Sequence, residues 1–343
     1  MTSTLGIKKI QYPNGTNSIT IDSSGSADIT TANITTAAIT TANVTNATAT
    51  GTITTPSING SQIGGRRNLI INGAMAVNQR GATSGVTSGY FVDRFRLSGC
   101  SASAVITSNT PTEFPTAITV SATSGNPIVS QRVESKNVQH LSGKTVTASF
   151  LAKNVSNATT LYVSLAYAGS ADSWGSSTTI SEQNLGTLTG DWVKYTASWT
   201  VPAGGLNGLG LNILCAGSST FTMGVAGVQM EVGSQATEFE HRSFAEELRL
   251  CSRYFWRQYT NGTNVIYFRD NISAAGQNIL YQYPAPPAMR INGATVTCSL
   301  TANVSVDSNT LTYHQHGAIQ VYLASISGDN YLYSQDLSIN AEL

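Results

Sequence analysis

The chain has 343 residues, room for two domains plus extensions, with 18 Lys+Arg against 18 Asp+Glu and only 10% charged residues in all. Ordinary globular proteins carry about 25% charge, so this surface must be solvated by hydroxyls and amides. It lacks the basic footprint of a nucleic-acid or anionic-membrane binder, and no run approaches the ~20 apolar residues of a membrane span. Residues 1–10 lack the apolar core of a secretory signal. Cys100, Cys215, Cys251 and Cys298 are too scattered for a zinc or redox C-x-x-C pair. Four buried thiols in a cytosol-folded protein are expected, with disulfides the alternative.

Residues 1–26 place Gly6-Ile7-Lys8-Lys9-Ile10-Gln11 and Ser18-Ile19-Thr20-Ile21-Asp22 on either side of the turn-prone Pro13-Asn14-Gly15. That spacing predicts two short strands around a turn, too small to fold alone. The segment reads as an anchor, with Ile7, Ile10, Ile19 and Ile21 as its contact row, ordered on another protein or within a trimer.

Residues 27–65 read as a repeat stalk. Ala27-Asp28-Ile29-Thr30-Thr31 recurs as Ala32-Asn33-Ile34-Thr35-Thr36, Ala37-Ala38-Ile39-Thr40-Thr41 and Ala42-Asn43-Val44-Thr45-Asn46, and the aliphatics resume at Ile53, Ile58 and Ile63. Period five fits neither a helix nor a flat strand. It resembles the pentapeptide-repeat pattern that coils as a four-sided β-helix. One chain would supply under two turns and leave its Ile/Val row wet, whereas three chains about a shared axis would bury it. A disordered Thr/Ala linker is the competing reading; the registered aliphatic row argues for a homotrimeric stalk.

From Arg66 the texture becomes that of strands separated by Gly, Ser, Asn and Pro clusters. Val146, Ala148, Phe150 and Ala152 alternate, as do Leu161, Val163, Leu165 and Tyr167, and Val193, Tyr195, Ala197, Trp199 and Val201. Nine or ten strands fit between Asn68 and Glu240, predicting a jelly-roll-like β-sandwich over residues 66–242. Ser243-Phe244-Ala245-Glu246 is a capping box that opens a linking helix, residues 243–257, with Phe244, Leu248, Cys251 and Phe255 on its apolar face. Residues 258–343 return to strands and read as a small, aromatic-rich C-terminal β-domain. The fold class is thus all-β, with one helix.

At Arg66-Arg67-Asn68-Leu69-Ile70-Ile71-Asn72-Gly73-Ala74-Met75 the sequence resembles a widespread module of tailed-bacteriophage tail fibre proteins. Gln79-Arg80-Gly81, Asp93-Arg94-Phe95, Val228-Gln229-Met230-Glu231-Val232-Gly233, Ala236-Thr237-Glu238-Phe239-Glu240 and His241-Arg242-Ser243 follow in the order of that module. The helix sequence and the final Ala341-Glu342-Leu343 belong to the same pattern. The resemblance covers residues 66–256 well, the stalk by type and the last 85 residues loosely. It implies a homotrimeric fibre on the virion, folded in the host cytoplasm before assembly. Its residues 1–26 would dock on a tail or adaptor protein, and its distal β-domains, with residues 258–343 as the tip, would meet the host surface.

Neutral Trp/Tyr-plus-amide surfaces suit glycans, because aromatic faces take the apolar side of a sugar ring and amides take its hydroxyls. Gly190-Asp191-Trp192-Val193-Lys194-Tyr195 leading to Val201-Pro202 is similar in general form to carbohydrate-binding modules. Candidate receptor contacts are Trp174 and Trp192 in the sandwich, and Tyr313, Tyr331 and Tyr333 in the tip, where trimer packing is the competing use. His314-Gln315-His316 places two imidazoles on one strand face, and an exposed pair is the plainer account than a metal at a threefold axis. No cofactor motif is present. The acids Asp172, Glu182 and Asp191 sit on turns without the pairing a glycosidase needs. The expected protein is an adhesin and not an enzyme; a tailspike that degrades polysaccharide and a head-decorating fibre are the alternatives.

Overall fold

A computed structural model describes residues 9–11, 18–21, 27–28, 66–81, 85–107, 110–114, 116–259, 266–272, 278–284, 289–291, 294–298, 301–302, 305–314, 318–324, 328–334 and 336–343, several of the strands by backbone alone. The chain divides into two compact units, Met1–Thr54 and Thr55–Leu343. In the first, β1 (Lys9–Gln11) pairs antiparallel with β2 (Ser18–Ile21), Ile10 opposite Ile19, as the turn at Pro13 predicts. A third strand, β3 (Ala27–Asp28), adds to β2. Ile7 and the pentads from residue 29 to 65 lie outside the described residues.

The second unit holds a curled, all-β sandwich made of one seven-stranded sheet. Its strands are β4 (Gly89–Val92), β5 (Phe95–Thr107), β6 (Ala117–Val133), β7 (Thr145–Ser170), β8 (Ser173–Thr187), β9 (Val193–Thr200) and β10 (Leu209–Val232). The order is β4-β5-β6-β10-β7-β8, with β9 on the other end of β7. Nine or ten strands were expected because the alternation breaks. Here the breaks fall inside strands, so two predicted strands, 144–153 and 161–167, are one β7. Its core residues are even-numbered at Val146, Ala148, Phe150 and Ala152 but odd-numbered at Leu161, Val163 and Leu165. The change of parity coincides with Asn157, at φ 51, and with register shifts against β10 between Ala216 and Met223. Such bulges bend a strand and re-aim its face. The sheet therefore curls there, and residues from both of its halves form one core cluster. On β9, Ala197 and Trp199 point inward, whereas Val193, at the strand's start, is 37% exposed.

A one-turn helix that the sequence did not announce, α1 (Ser135–Val138), follows β6. The expected helix is shorter than 243–257: α2 spans Phe244–Ser252, with the Ser243 hydroxyl accepting from the Glu246 amide at 3.3 Å. The Glu246 carboxylate pairs with Arg66. The helix stops because Phe255–Tyr259 is taken as a strand, β11, against residues 336–340. Its buried face is also rotated from the expected one: Phe244 is 60% exposed, while Glu247, Cys251 and Ser252 are buried. Glu247 holds that place because its carboxylate accepts from the Asn72 amide and from Arg242.

Beyond α2 the strands are β11, β12 (Ile266–Ile272), β13 (Asn278–Pro284), β14 (Thr295–Cys298), β15 (Thr301–Ala302), β16 (Ser305–His314), β17 (Ala318–Ala324), β18 (Gly328–Ser334) and β19 (Asp336–Asn340). Their pairing is nested. β11 pairs β19, β12 pairs β18 and β13 pairs β17, and β14, β18's neighbour β15, and β16 complete three three-stranded sheets in turn. The last residues then fold back on the sandwich. Leu337, Ile339 and Ala341 are buried, the Ala341 amide donates to the Tyr254 carbonyl at 2.7 Å, and Arg290 Nε donates to the Ala341 carbonyl at 2.8 Å.

Glu342 completes the join. Its carboxylate pairs with Arg94, which is 1% exposed and lies 3.5 Å from the centre of the Tyr254 ring, and with Arg80 at 3.0 Å. Burial works against the Arg94 charge, but Glu342 and Tyr254 more than restore it, so its pKa rises. Next to it, Asp93 accepts from the Gln79 backbone and side chain at 3.2 and 2.7 Å. Burial nevertheless pushes its carboxyl up to about 6 against those bonds. Cys215 and Cys251 are buried free thiols, both pushed up by burial, Cys215 to about 11. The side chains of Cys100 and Cys298 are outside the described residues. Among the described residues no helix is long and apolar enough to cross a membrane.

Two predictions follow from this junction. Glu342→Ala leaves a buried guanidinium without its carboxylate and should cost about 3–5 kcal/mol, read as a lower urea midpoint of the full chain; an unchanged midpoint would show the pair to be dispensable. Asp93 holds its proton more tightly folded than unfolded, so its contribution is full below 3.8 and is lost as pH rises through about 6. The loss is about 3 kcal/mol. Asp93→Asn should flatten that fall in denaturation curves collected across this range.

Candidate functional site

The sheet half built from the second parts of β6 and β7 and the first part of β10 turns Leu165, Ile213 and Val129 inward. Antiparallel partners share a face, so the register defines what the other face carries. One rung reads Tyr90, Arg96, Ser130, Asn212, Ser164 and Glu182 across β4, β5, β6, β10, β7 and β8. With strands about 4.8 Å apart, this rung is roughly 24 Å long. The next rung one way reads Ser98, Ile128, Leu214, Tyr162 and Asn184; the next the other way reads Arg132, Gly210, Ala166 and Thr179. Asn212 Nδ2 donates to Ser164 Oγ at 3.2 Å, tying two central members together.

Trp174, near the start of β8, lays the edge of its six-membered ring over Gly210, where a Cβ would meet it at 2.9 Å. Arg132 sits 4.8 Å from the ring centre. The indole is half-buried, and its Nε1 donor has no acceptor among the described residues. At this end of the face Tyr90 and Arg132 both donate to the Leu343 carbonyl, Tyr90 at 2.7 Å, so the tail segment borders the surface. The Tyr90 hydroxyl is pushed up first by burial and then by Glu342, and burial lowers Arg132. The face thus combines an indole, a phenol, hydroxyls and an amide, with Arg96, Arg132 and Glu182 as its charged members. Hydroxyls and amides both donate and accept, which matches the dual character of sugar hydroxyls.

Trp192 lies on the other half of the sheet. Its ring edge covers Gly224, where a Cβ would meet it at 2.8 Å, with Lys153 Nζ 5.3 Å from the ring centre. It packs beside the Phe114, Ala117 and Ala226 cluster. The two tryptophans are therefore built alike, each seated on a glycine of β10 beside a cation, but the structure does not bring them into one site. Tyr313 stands in β16 opposite Ile319, Tyr331 in β18 opposite Arg269, and Tyr333 opposite Tyr267 on one side and Thr301 on the other. Their side chains are outside the described residues, as is His316; His314 is in register with Ala318. Among the described residues no group of three or more His, Cys, Asp or Glu is arranged to hold a metal ion. Of the three acids weighed from the sequence, Asp172 is committed to structure: it accepts from the Ser135 amide at 2.7 Å and from its hydroxyl at 3.2 Å. Ser130, Ser164, Asn212, Tyr162 and Arg96 were not singled out from the sequence. Their signal is faint: polar residues hold some outward positions of these strands, while Ile128, Leu214 and Ala166 hold others.

No protein-family model and no curated protein matches this sequence. Among solved structures the chain is similar to the C-terminal family 22 carbohydrate binding module of Clostridium thermocellum Xyn10B, at 16% identity over 42% of this chain and 89% of that one, TM-score 0.32. It is similar to TmCBM61, solved in complex with beta-1,4-galactotriose, at 12% identity over 49% and 99%, TM-score 0.32. It is also similar to the enzymatically active domain of bacteriophage CBA120 tailspike protein 4, at 14% identity over 48% of this chain and 21% of that one, TM-score 0.33. The neighbours thus include carbohydrate-binding modules and a phage tailspike domain.

The seat of Trp174 is testable by itself. Gly210→Ala places a methyl carbon inside contact distance of the indole, so the ring must lift. Iodide quenching of the Trp174 fluorescence, isolated by subtracting a Trp174→Phe variant, should rise about twofold or more, with stability lowered by about 1–3 kcal/mol.

Proposed function

We propose that this chain is a tail fibre protein of a tailed bacteriophage, a homotrimer that docks on the virion through residues 1–26 and adheres to a host-surface glycan. The ordered motifs from Asn68 to Ser243 support the fibre reading, and the pentad row supports the trimer. The observation that carries glycan adhesion is the polar sheet face: half-buried Asn212 in a rung with the nearly buried Ser130 and Ser164, flanked by the half-buried Trp174 indole and Tyr162 phenol. A groove for a neutral polymer needs that mixture, a few convergent polar groups and an aromatic surface, more than it needs charge. Tyr313, Tyr331 and Tyr333 would extend contact into the tip. Adhesion without cleavage is the activity proposed.

Purified protein incubated with host-surface polysaccharide tests this directly. Trp174→Ala and Asn212→Ala should each weaken binding about tenfold, equivalent to about 1.4 kcal/mol, while polymer length stays constant and sedimentation reports an unchanged trimer. Unaltered affinity in both variants would move recognition away from this face. Progressive shortening of the polymer would replace the adhesin with a tailspike enzyme.

A further inference from the structure

The far half of the same sheet carries a second feature, apart from the rung beside Trp174. A cavity of about 200 Å³ opens beside β7 and β10, floored by Leu151 and Gly227 and walled by Phe114 and Phe239. The two rings meet edge to face, 4.9 Å between centres at 86°. Gly227 makes this arrangement possible. It sits at φ 58, at a register shift between Ala226 and Gln229, and a Cβ there would come within 2.4 Å of the Phe114 ring. A bulge glycine thus lets an aromatic ring come down onto the backbone.

The mouth is charged. Glu113 and Glu238 line it, both exposed, together with Lys194. Lys194 Nζ donates to the Thr237 carbonyl at 3.0 Å, which ties the cation to the loop. The rim therefore carries two carboxylates against one anchored ammonium. Pockets for drug-sized ligands run from about 300 Å³ upward, so this one admits a single ring-sized group. Carboxylates and the electron-rich face of an aromatic ring both favour a cationic guest.

We infer that this cavity takes one sugar residue bearing a free ammonium, a hexosamine unit, with its ring against Phe239 and its ammonium at Glu113 and Glu238. A neutral or N-acetylated ring offers the carboxylates only uncharged hydroxyl or amide donors, which bind them more weakly than an ammonium does, and an acidic sugar is repelled by them. The inference rests on the glycan-adhesion reading and deepens it, by adding a charge-selective subsite remote from Trp174.

The test uses the full chain and four small probes: D-glucosamine, D-glucose, N-acetyl-D-glucosamine and the amide of Nα-acetyl-lysine, titrated by calorimetry. Glucosamine should bind at least tenfold more tightly than the other two sugars and than the lysine derivative. The Glu113→Gln, Glu238→Gln double variant alters only exposed side chains; its unfolding midpoint should be unchanged and its preference for glucosamine lost. Trp174→Ala should leave that preference intact while weakening polysaccharide binding, so the two sites fail separately. Equal affinity for the three sugars, or a preference that survives the double variant, overturns the inference. Lysine-derivative binding as tight as glucosamine would also overturn it and assign the cavity to a protein ammonium instead.

Discussion

The buried guanidinium of Arg94 is the constraint around which the rest of the second unit is arranged. A charge taken out of water is tolerated only when it is paired and hydrogen-bonded; both terminal nitrogens of Arg94 find acceptors, and its Nε is left without one among the described residues. Here the partners come from four distant stretches: the Glu342 carboxylate, the Arg132 carbonyl, the Tyr254 ring and, through Glu342, Arg80. None of these is a neighbour in sequence. The sandwich, the turn after α2 and the tail segment are therefore one energetic unit, even though the sequence reads as a sandwich followed by a separate domain.

The phrases that carry the fibre resemblance have their explanation in the same region. Asn68 Oδ1 accepts from the Ile70 and Met230 amides at 2.9 and 3.1 Å, and Asn72 Nδ2 donates to the Val77 and Asp93 carbonyls at 2.8 and 2.9 Å. Glu240 accepts from the amides of Arg67 and Asn68, Gln229 accepts from the Glu240 amide, and Glu231 accepts from Thr237. Entry and exit of the sandwich are stitched together by the motif residues themselves. Those residues close the sandwich, and the rung beside Trp174 is built from other positions.

That division explains how far the sequence could be read. Alternation identified the strands, and the Ser243 cap identified α2, because both are local signals. The fusion of two predicted strands into β7 was visible only as a change of parity between Ala152 and Leu161, which is also what a turn looks like. The end of α2 was misjudged because Phe255 satisfies helical spacing, yet its backbone is claimed by Asn340, 85 residues away. Trp174 and Trp192 were legible as aromatic residues in polar surroundings. The rung beside Trp174 was not: Ser130, Asn212 and Ser164 become neighbours only once the strand order β6-β10-β7 is known, and that order is set by long-range pairing.

The tail seat also has a consequence for how the protein is made. Arg94 and Glu342 are 248 residues apart, so the guanidinium has no carboxylate until nearly all of these residues have left the ribosome. Closing so long a loop is slow and entropically costly. Until then Arg94 lacks the one carboxylate that pairs with it among the described residues. A chain released early keeps that defect. The seating of Glu342 on Arg94 can only follow synthesis of the chain between them, a separation of 248 residues.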